Sequence, residues 1–144
     1  MWPWRAGEAM LWAAGESSAA VPARPRLLIV DDDWLIRLQI EHFLTAAGFE
    51  IVGAAADAAT AVALAGRERP DLVLMDIRLS GPVDGIAAAQ EIADRFGIRS
   101  LFVSAHTDPG TLARTRRAQP LGWVPKPFTE AELLQGVKAA LAAR

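Results

Sequence analysis

Five short apolar runs, alternating with five helical patterns, predict an α/β fold: a doubly wound, five-stranded parallel sheet covered on both sides by helices. Two observations carry that expectation. The runs are continuous rather than period-two, as in strands buried on both faces, and helical patterns fill the stretches between them, as right-handed crossovers require. The length, 144 residues, suits one domain with a real core, and 52% hydrophobic content excludes a disordered chain. Much of that content is alanine, so the core must come from fewer large side chains.

The elements follow in order. Leu27-Leu28-Ile29-Val30 reads as the first strand. Ile36, Ile40, Phe43, Leu44 and Ala47 then recur at helical spacing, with Gly48 placed to end that helix. Ile51-Val52-Gly53 reads as the second strand, and Asp57 can N-cap an alanine-rich helix ending before Pro70. Leu72-Val73-Leu74-Met75 is the third strand. Asp84 can cap a helix through Phe96, with Gly97 as its stop. Leu101-Phe102-Val103 is the fourth strand, and Asp108 caps a short helix through Ala118 that Pro120 terminates. Trp123-Val124 is the fifth. The last helix starts most clearly: Thr129-Glu130-Ala131-Glu132 is a capping box, Phe128 and Leu133 form its hydrophobic staple, and Leu133, Val137, Ala140 and Leu141 line its buried stripe.

Residues 1–25 differ in composition, with three of the five tryptophans and three prolines, and divide the chain into a leader and a domain over 26–144. The apolar stretch Ala9–Ala14 is too short for a secretory signal or a membrane span. The leader reads as flexible (or as an extension from an upstream start codon), or as a short tryptophan-bearing helix, Ala6 to Ala14, that docks on the domain or a partner. No window reaches 18 apolar residues without a charge, so no membrane association and a cytoplasmic location are expected. The net charge of −2 argues against nucleic-acid binding by bulk electrostatics. The absence of cysteine excludes disulfides and thiolate-held metals.

In parallel sheets the functional crevice lies outside the carboxyl ends of the strands. Asp31-Asp32-Asp33 follows the first run, Asp76 the third, Ser104-Ala105 the fourth and Lys126-Pro127 the fifth. Taken singly, these residues read as a helix cap, a turn residue, a loop hydroxyl and a surface charge. Together they converge, and Lys126 is one of only two lysines among fifteen cationic residues. Clustered carboxylates cannot all ionise without a cation. An oxygen-only donor set implies a hard ion, for which Mg2+ fits best. A metal, an ammonium and a hydroxyl around a carboxylate is the arrangement that phosphoryl transfer to an aspartate needs.

At these residues the sequence resembles the receiver domain of two-component response regulators. LLIVDDDWLIR is similar to that family's first strand and acidic pair, PDLVLMDIRLSGPVDGIAAA to its phosphoacceptor strand and loop, LFVSAH to its strand-four hydroxyl position, and GWVPKPF to its lysine-proline segment. The likeness runs from about Arg26 to Ala143. It implies the flavodoxin-like receiver fold with strand order 2-1-3-4-5. It also implies that Asp76 is the phosphoacceptor, with Mg2+ held by Asp32, Asp76 and the backbone carbonyl of Arg78, and by Asp31 through water. Ser104 and Lys126 would bind the phosphoryl group, and the Lys126-Pro127 bond would be cis. Asp33 is explained by capping the first helix.

Three positions depart from the family pattern. Trp123 stands where the switch aromatic is usually Tyr or Phe, and reads equally as a switch with Ser104 or as simple packing. Arg78 places a long cation by the pocket, where it modifies phosphate lifetime or points to solvent. Ala118-Gln119-Pro120-Leu121-Gly122 replaces a commoner Gly-Ala turn. Arg114, Arg116 and Arg117 make the fourth helix basic, either as a solvated face or a docking face. His42 reads as a helix-surface residue and His106 as a neighbour of the pocket, neither as a phosphodonor.

The resemblance implies that a histidine kinase or histidine phosphotransfer protein supplies the phosphoryl group, which is then slowly hydrolysed. This is self-phosphorylation and autodephosphorylation rather than ordinary enzyme turnover. Since the chain ends at Arg144, output through protein contacts or a phosphate relay is expected, not direct DNA binding. The face of the fourth helix, fifth strand and fifth helix is the expected output and homodimer surface. One alternative is a phosphorylation-independent, receiver-like binding module. Another is a Mg2+-dependent phosphohydrolase with an aspartyl-phosphate intermediate; such enzymes place an acid two residues after the nucleophile, where this chain has Arg78.

Overall fold

The computed structural model describes residues 24–106 and 108–144, so the leader readings lie outside the described residues. In chain order the elements are β1 (Arg26–Val30), α1 (Trp34–Ala46), β2 (Glu50–Ala55), α2 (Ala58–Glu68), β3 (Leu72–Met75), α3 (Gly85–Phe96), β4 (Ser100–Ser104), α4 (Pro109–Thr115), β5 (Gly122–Pro125) and α5 (Glu130–Ala143). All strand pairs are parallel, in the order β2-β1-β3-β4-β5.

The strand alternation divides the core into two layers. Leu27 and Ile29 of β1 face Ile40 and Leu44 of α1 and Leu133, Val137 and Ala140 of α5. Leu28 and Val30 face the other way, into the alanines of α2, Ile86 and Ile92 of α3, and Ala118. The small alanine side chains let α2 and α3 pack closely, while Phe49 and Phe102 supply bulk, one in each layer.

The local signals act as expected. Asp33, Asp57, Asp84, Asp108 and Thr129 each cap a helix N-terminus, and Thr129 with Glu132 forms the reciprocal capping box. Gly48 and Gly97 take left-handed φ of 98° and 70° where α1 and α3 stop. Two expectations need correction. Only the central strands β1, β3 and β4 are buried along nearly their whole length. The edge strands β2 and β5 each bury one side chain fully, Ala55 and Val124, because an edge strand has a neighbour on one side only. The fourth helix is also shorter than expected: α4 ends at Thr115, and Arg116–Ala118 tighten into a 3-10 turn that closes with Gln119 at φ 51°.

Among the described residues no helix is long and apolar enough to cross a membrane.

Candidate acidic and metal-binding site

Backbone hydrogen bonds carry the sheet one step past its strands and thereby fix the site. Asp31 N donates to Ala55 O (3.0 Å), Asp76 N to Val30 O (2.9 Å) and Lys126 N to Ser104 O (3.1 Å). The residues after β1, β3 and β5 are thus held in register at one end of the sheet. Asp31 is 1% and Asp76 6% exposed, and Ser104 is fully buried.

Asp31 Oδ2 accepts from Lys126 Nζ at 2.5 Å, and Asp76 Oδ2 accepts from the same ammonium at 3.1 Å. The other oxygens are also engaged: Asp31 Oδ1 by the Asp33 N–H (2.9 Å), Asp76 Oδ1 by the Ile77 N–H (2.8 Å). Asp32 is exposed at the mouth. One carboxylate oxygen from each of Asp31, Asp32 and Asp76 lies within 4.8 Å of the others. Asp33 turns away and caps α1, accepting from Leu35 N and Ile36 N. The Lys126-Pro127 bond is cis, as expected.

Three carboxylates therefore cluster around a site with one ammonium, which is bound to two of them. Burial pushes the Asp31 carboxyl above its ordinary value, and the hydrogen bond from Lys126 only partly offsets it. Burial works to lower the Lys126 ammonium, but its bonds and charge contacts with Asp31 and Asp76 outweigh this and raise it. Two like charges about 4 Å apart repel by about 4 kcal/mol at an effective dielectric constant of roughly 20. A divalent cation relieves that repulsion, and an all-carboxylate donor set with one face open to water fits Mg2+.

The remaining sequence-derived residues are also placed. Ser104 Oγ accepts from His106 N at 3.2 Å, so the half-buried His106 sits directly beside the buried hydroxyl. Arg78 is exposed, two residues beyond Asp76. Trp123 is half-buried and stacks on Phe102, centroids 5.0 Å apart. It lines a groove of about 540 Å3 with Leu112, Thr115 and Arg116. His42 is exposed on α1, as expected. Of the three basic positions, Arg116 and Arg117 are exposed, whereas Arg114 is bound to Asp84 at 2.6 Å rather than simply solvated.

Sequence reasoning missed two features. Trp34, Leu35 and Leu38 are 65%, 58% and 54% exposed. They form an apolar patch on the first turns of α1, immediately after the acidic run. Their place outside the Ile36–Ile40–Leu44 stripe was readable, but not that they would form one exposed patch. Gly85 was also missed: a Cβ there would lie 1.7 Å from the Asp76 carbonyl oxygen, so α3 starts hard against the backbone of the acidic residue.

The comparisons agree with this geometry. The transcriptional regulatory protein PdtaR of Mycobacterium tuberculosis is 36% identical over 88% of this chain and 60% of its own length. This chain thus spans about three-fifths of that relative. The chemotaxis protein CheY of Bacillus subtilis is 33% identical over 81% of this chain and 97% of its own. The crystal structure of a LuxR-family two-component response regulator from Aurantimonas superposes with a TM-score of 0.77 at 33% identity, covering 84% of this chain and 87% of that one. A CheY-like receiver domain from Methanospirillum hungatei gives 0.76 at 27%, over 83% and 94%. Residues 27–138 match the response regulator receiver domain family. With its five-stranded sheet in the order 2-1-3-4-5 and its acidic cluster at the strand ends, this chain belongs to that family.

Proposed function

We propose that the domain over 26–144 is a phosphoacceptor, with Asp76 as the nucleophile. The observation that carries this reading is the meeting of Asp31, Asp32, Asp76 and Lys126 at one end of the sheet. A carboxylate oxygen of Asp76 attacks the phosphorus of a phosphohistidine. The P–N bond breaks as the O–P bond forms, and the imidazole nitrogen keeps the bonding pair. Asp32, Asp76 and the Arg78 carbonyl would hold Mg2+, with Asp31 acting through water; bound there, the ion neutralises charge on the phosphoryl oxygens. Lys126 pairs with the arriving phosphoryl group. Ser104, whose oxygen already accepts from His106 N, keeps its hydroxyl proton to donate.

The phosphohistidine belongs to a histidine kinase or phosphotransfer protein, and the α1 patch supports a place for it. Trp34, Leu35 and Leu38 flank the acidic mouth with apolar surface that a helical partner can cover. Output runs through protein contacts on α4, β5 and α5, a homodimer among them.

The test is transfer from a purified, histidine-phosphorylated phosphotransfer protein, compared with uptake from acetyl phosphate, both with Mg2+. Label should move to Asp76 from either donor. Leu38→Asp should lower the protein-donor rate at least tenfold relative to the acetyl phosphate rate, because one buried hot-spot leucine is worth about 1–2 kcal/mol or more. Equal slowing with both donors would remove the docking role, and no transfer from either would remove the function.

A further inference from the structure

Arg114 and Asp84 form an ion pair across thirty residues of sequence, Nη2 to Oδ2 at 2.6 Å. Asp84 is fixed with respect to Asp76. Its Oδ1 caps α3 by accepting from Ala87 N at 2.9 Å, and the adjoining Gly85 N donates to Ile77 O at 2.6 Å. Gly85 also lies close to the Asp76 backbone, since a Cβ at that position would fall 1.7 Å from the Asp76 carbonyl oxygen. On the other side, α4 is short and weakly anchored: of its seven residues only Thr115 is buried. Yet α4 and the turn after it wall the groove that Trp123 also lines, through Leu112, Thr115 and Arg116. The ion pair therefore joins the segment that carries the acidic residue to the helix that shapes that groove.

We infer that Arg114 is a positioning residue that couples the state of Asp76 to the α4–β5 groove through Asp84. The inference rests on the phosphoacceptor reading, because a phosphoryl group on Asp76 is the signal being passed. With Arg114 60% and Asp84 33% exposed at the side chain, the pair is open to solvent and salt. An exposed pair biases a two-state equilibrium by about fivefold at most. That is strong enough to set the position of a thinly packed helix and weak enough to yield to a new charge next door. A solvated arginine would have no such coupling.

The experiment separates chemistry from its readout in the full chain. Phosphoryl uptake from acetyl phosphate is followed by intact mass, and the α4–β5 groove by the indole N–H resonance of Trp123, assigned with Trp123→Phe. In Arg114→Gln and in Asp84→Asn, which keeps the cap, uptake should stay within twofold of wild type. The equilibrium constant for the Trp123 shift on phosphorylation should rise about three- to fivefold, because the pair holds α4 in its unshifted position. The double variant should rise no further than either single one, Arg114→Lys should return most of the way to the wild-type constant, and about 0.5 M salt should bring wild type towards the variants. An unchanged Trp123 response in Arg114→Gln, or multiplicative rises in the double variant, would overturn the coupling while leaving the phosphoacceptor reading intact. A wild type that takes up no phosphoryl group removes both.

Discussion

A Lys126→Met variant should lose about 2–3 kcal/mol of stability at neutral pH without divalent cation, because it strips the counter-charge from a buried carboxylate. Methionine keeps the bulk of the stem, so the loss is electrostatic rather than a cavity. Lys126 is the shared partner of Asp31 and Asp76. The Asp31 carboxyl already stands above its ordinary value of 3.8 through burial, and its bond to Lys126 is the largest effect holding it down. Removing the ammonium raises it further. A carboxyl raised in the folded state contributes stability that is complete below its unfolded value and lost as pH rises through the folded one. The deficit should therefore be largest at neutral pH and shrink as pH falls towards 4, and Mg2+ should restore part of it. Urea denaturation across a pH series, with and without Mg2+, reads both. A deficit independent of pH and of Mg2+ would mean that Lys126 acts by packing alone.

Gly85→Ala should be more damaging still, with a loss of about 3 kcal/mol or more and a fall in melting temperature of roughly 10 °C for a domain of this size. The added methyl would meet the Asp76 carbonyl oxygen at 1.7 Å and its carbon at 2.8 Å. Both are backbone atoms, so either α3 lifts from the sheet or the chain after β3 bends. Binding of Mg2+ should weaken along with folding, since the same movement displaces Asp76. Gly81→Ala is the control. A Cβ there meets nothing within 4 Å, and only the φ of 89° opposes it, so its cost should be about 1 kcal/mol. Equal losses in the two variants would contradict the close contact of α3 with Asp76.

What could be read from the sequence depended on how local its cause was. Capping acts over three residues, so Asp33, Asp57, Asp84, Asp108 and Thr129 could all be placed before any coordinates. The acidic cluster was legible for a different reason. A parallel sheet puts every strand's carboxyl end on one side, which joins Asp31, Asp76, Ser104 and Lys126 without any knowledge of distance. Pairings across helices were not legible. Arg114 had no marker for a partner thirty residues away, and it read as solvated by default, with docking as the alternative. Trp34, Leu35 and Leu38 lay outside the Ile36–Ile40–Leu44 stripe, yet nothing local marked them as a contiguous exposed patch. The weak burial of β2 and β5 is likewise a property of position in the sheet, which a short apolar run does not reveal.

The central claim, that Asp76 accepts a phosphoryl group, meets its most direct test in intact mass spectrometry after incubation with acetyl phosphate and Mg2+. The wild-type chain should gain the mass of one phosphoryl group in an alkali-labile adduct, and lose that gain on chelation. Asp76→Asn, which keeps the size of the side chain but not its nucleophilic charge, should gain nothing. A wild type that binds Mg2+ but gains no mass, or an Asp76→Asn variant that gains as much as wild type, would contradict the account.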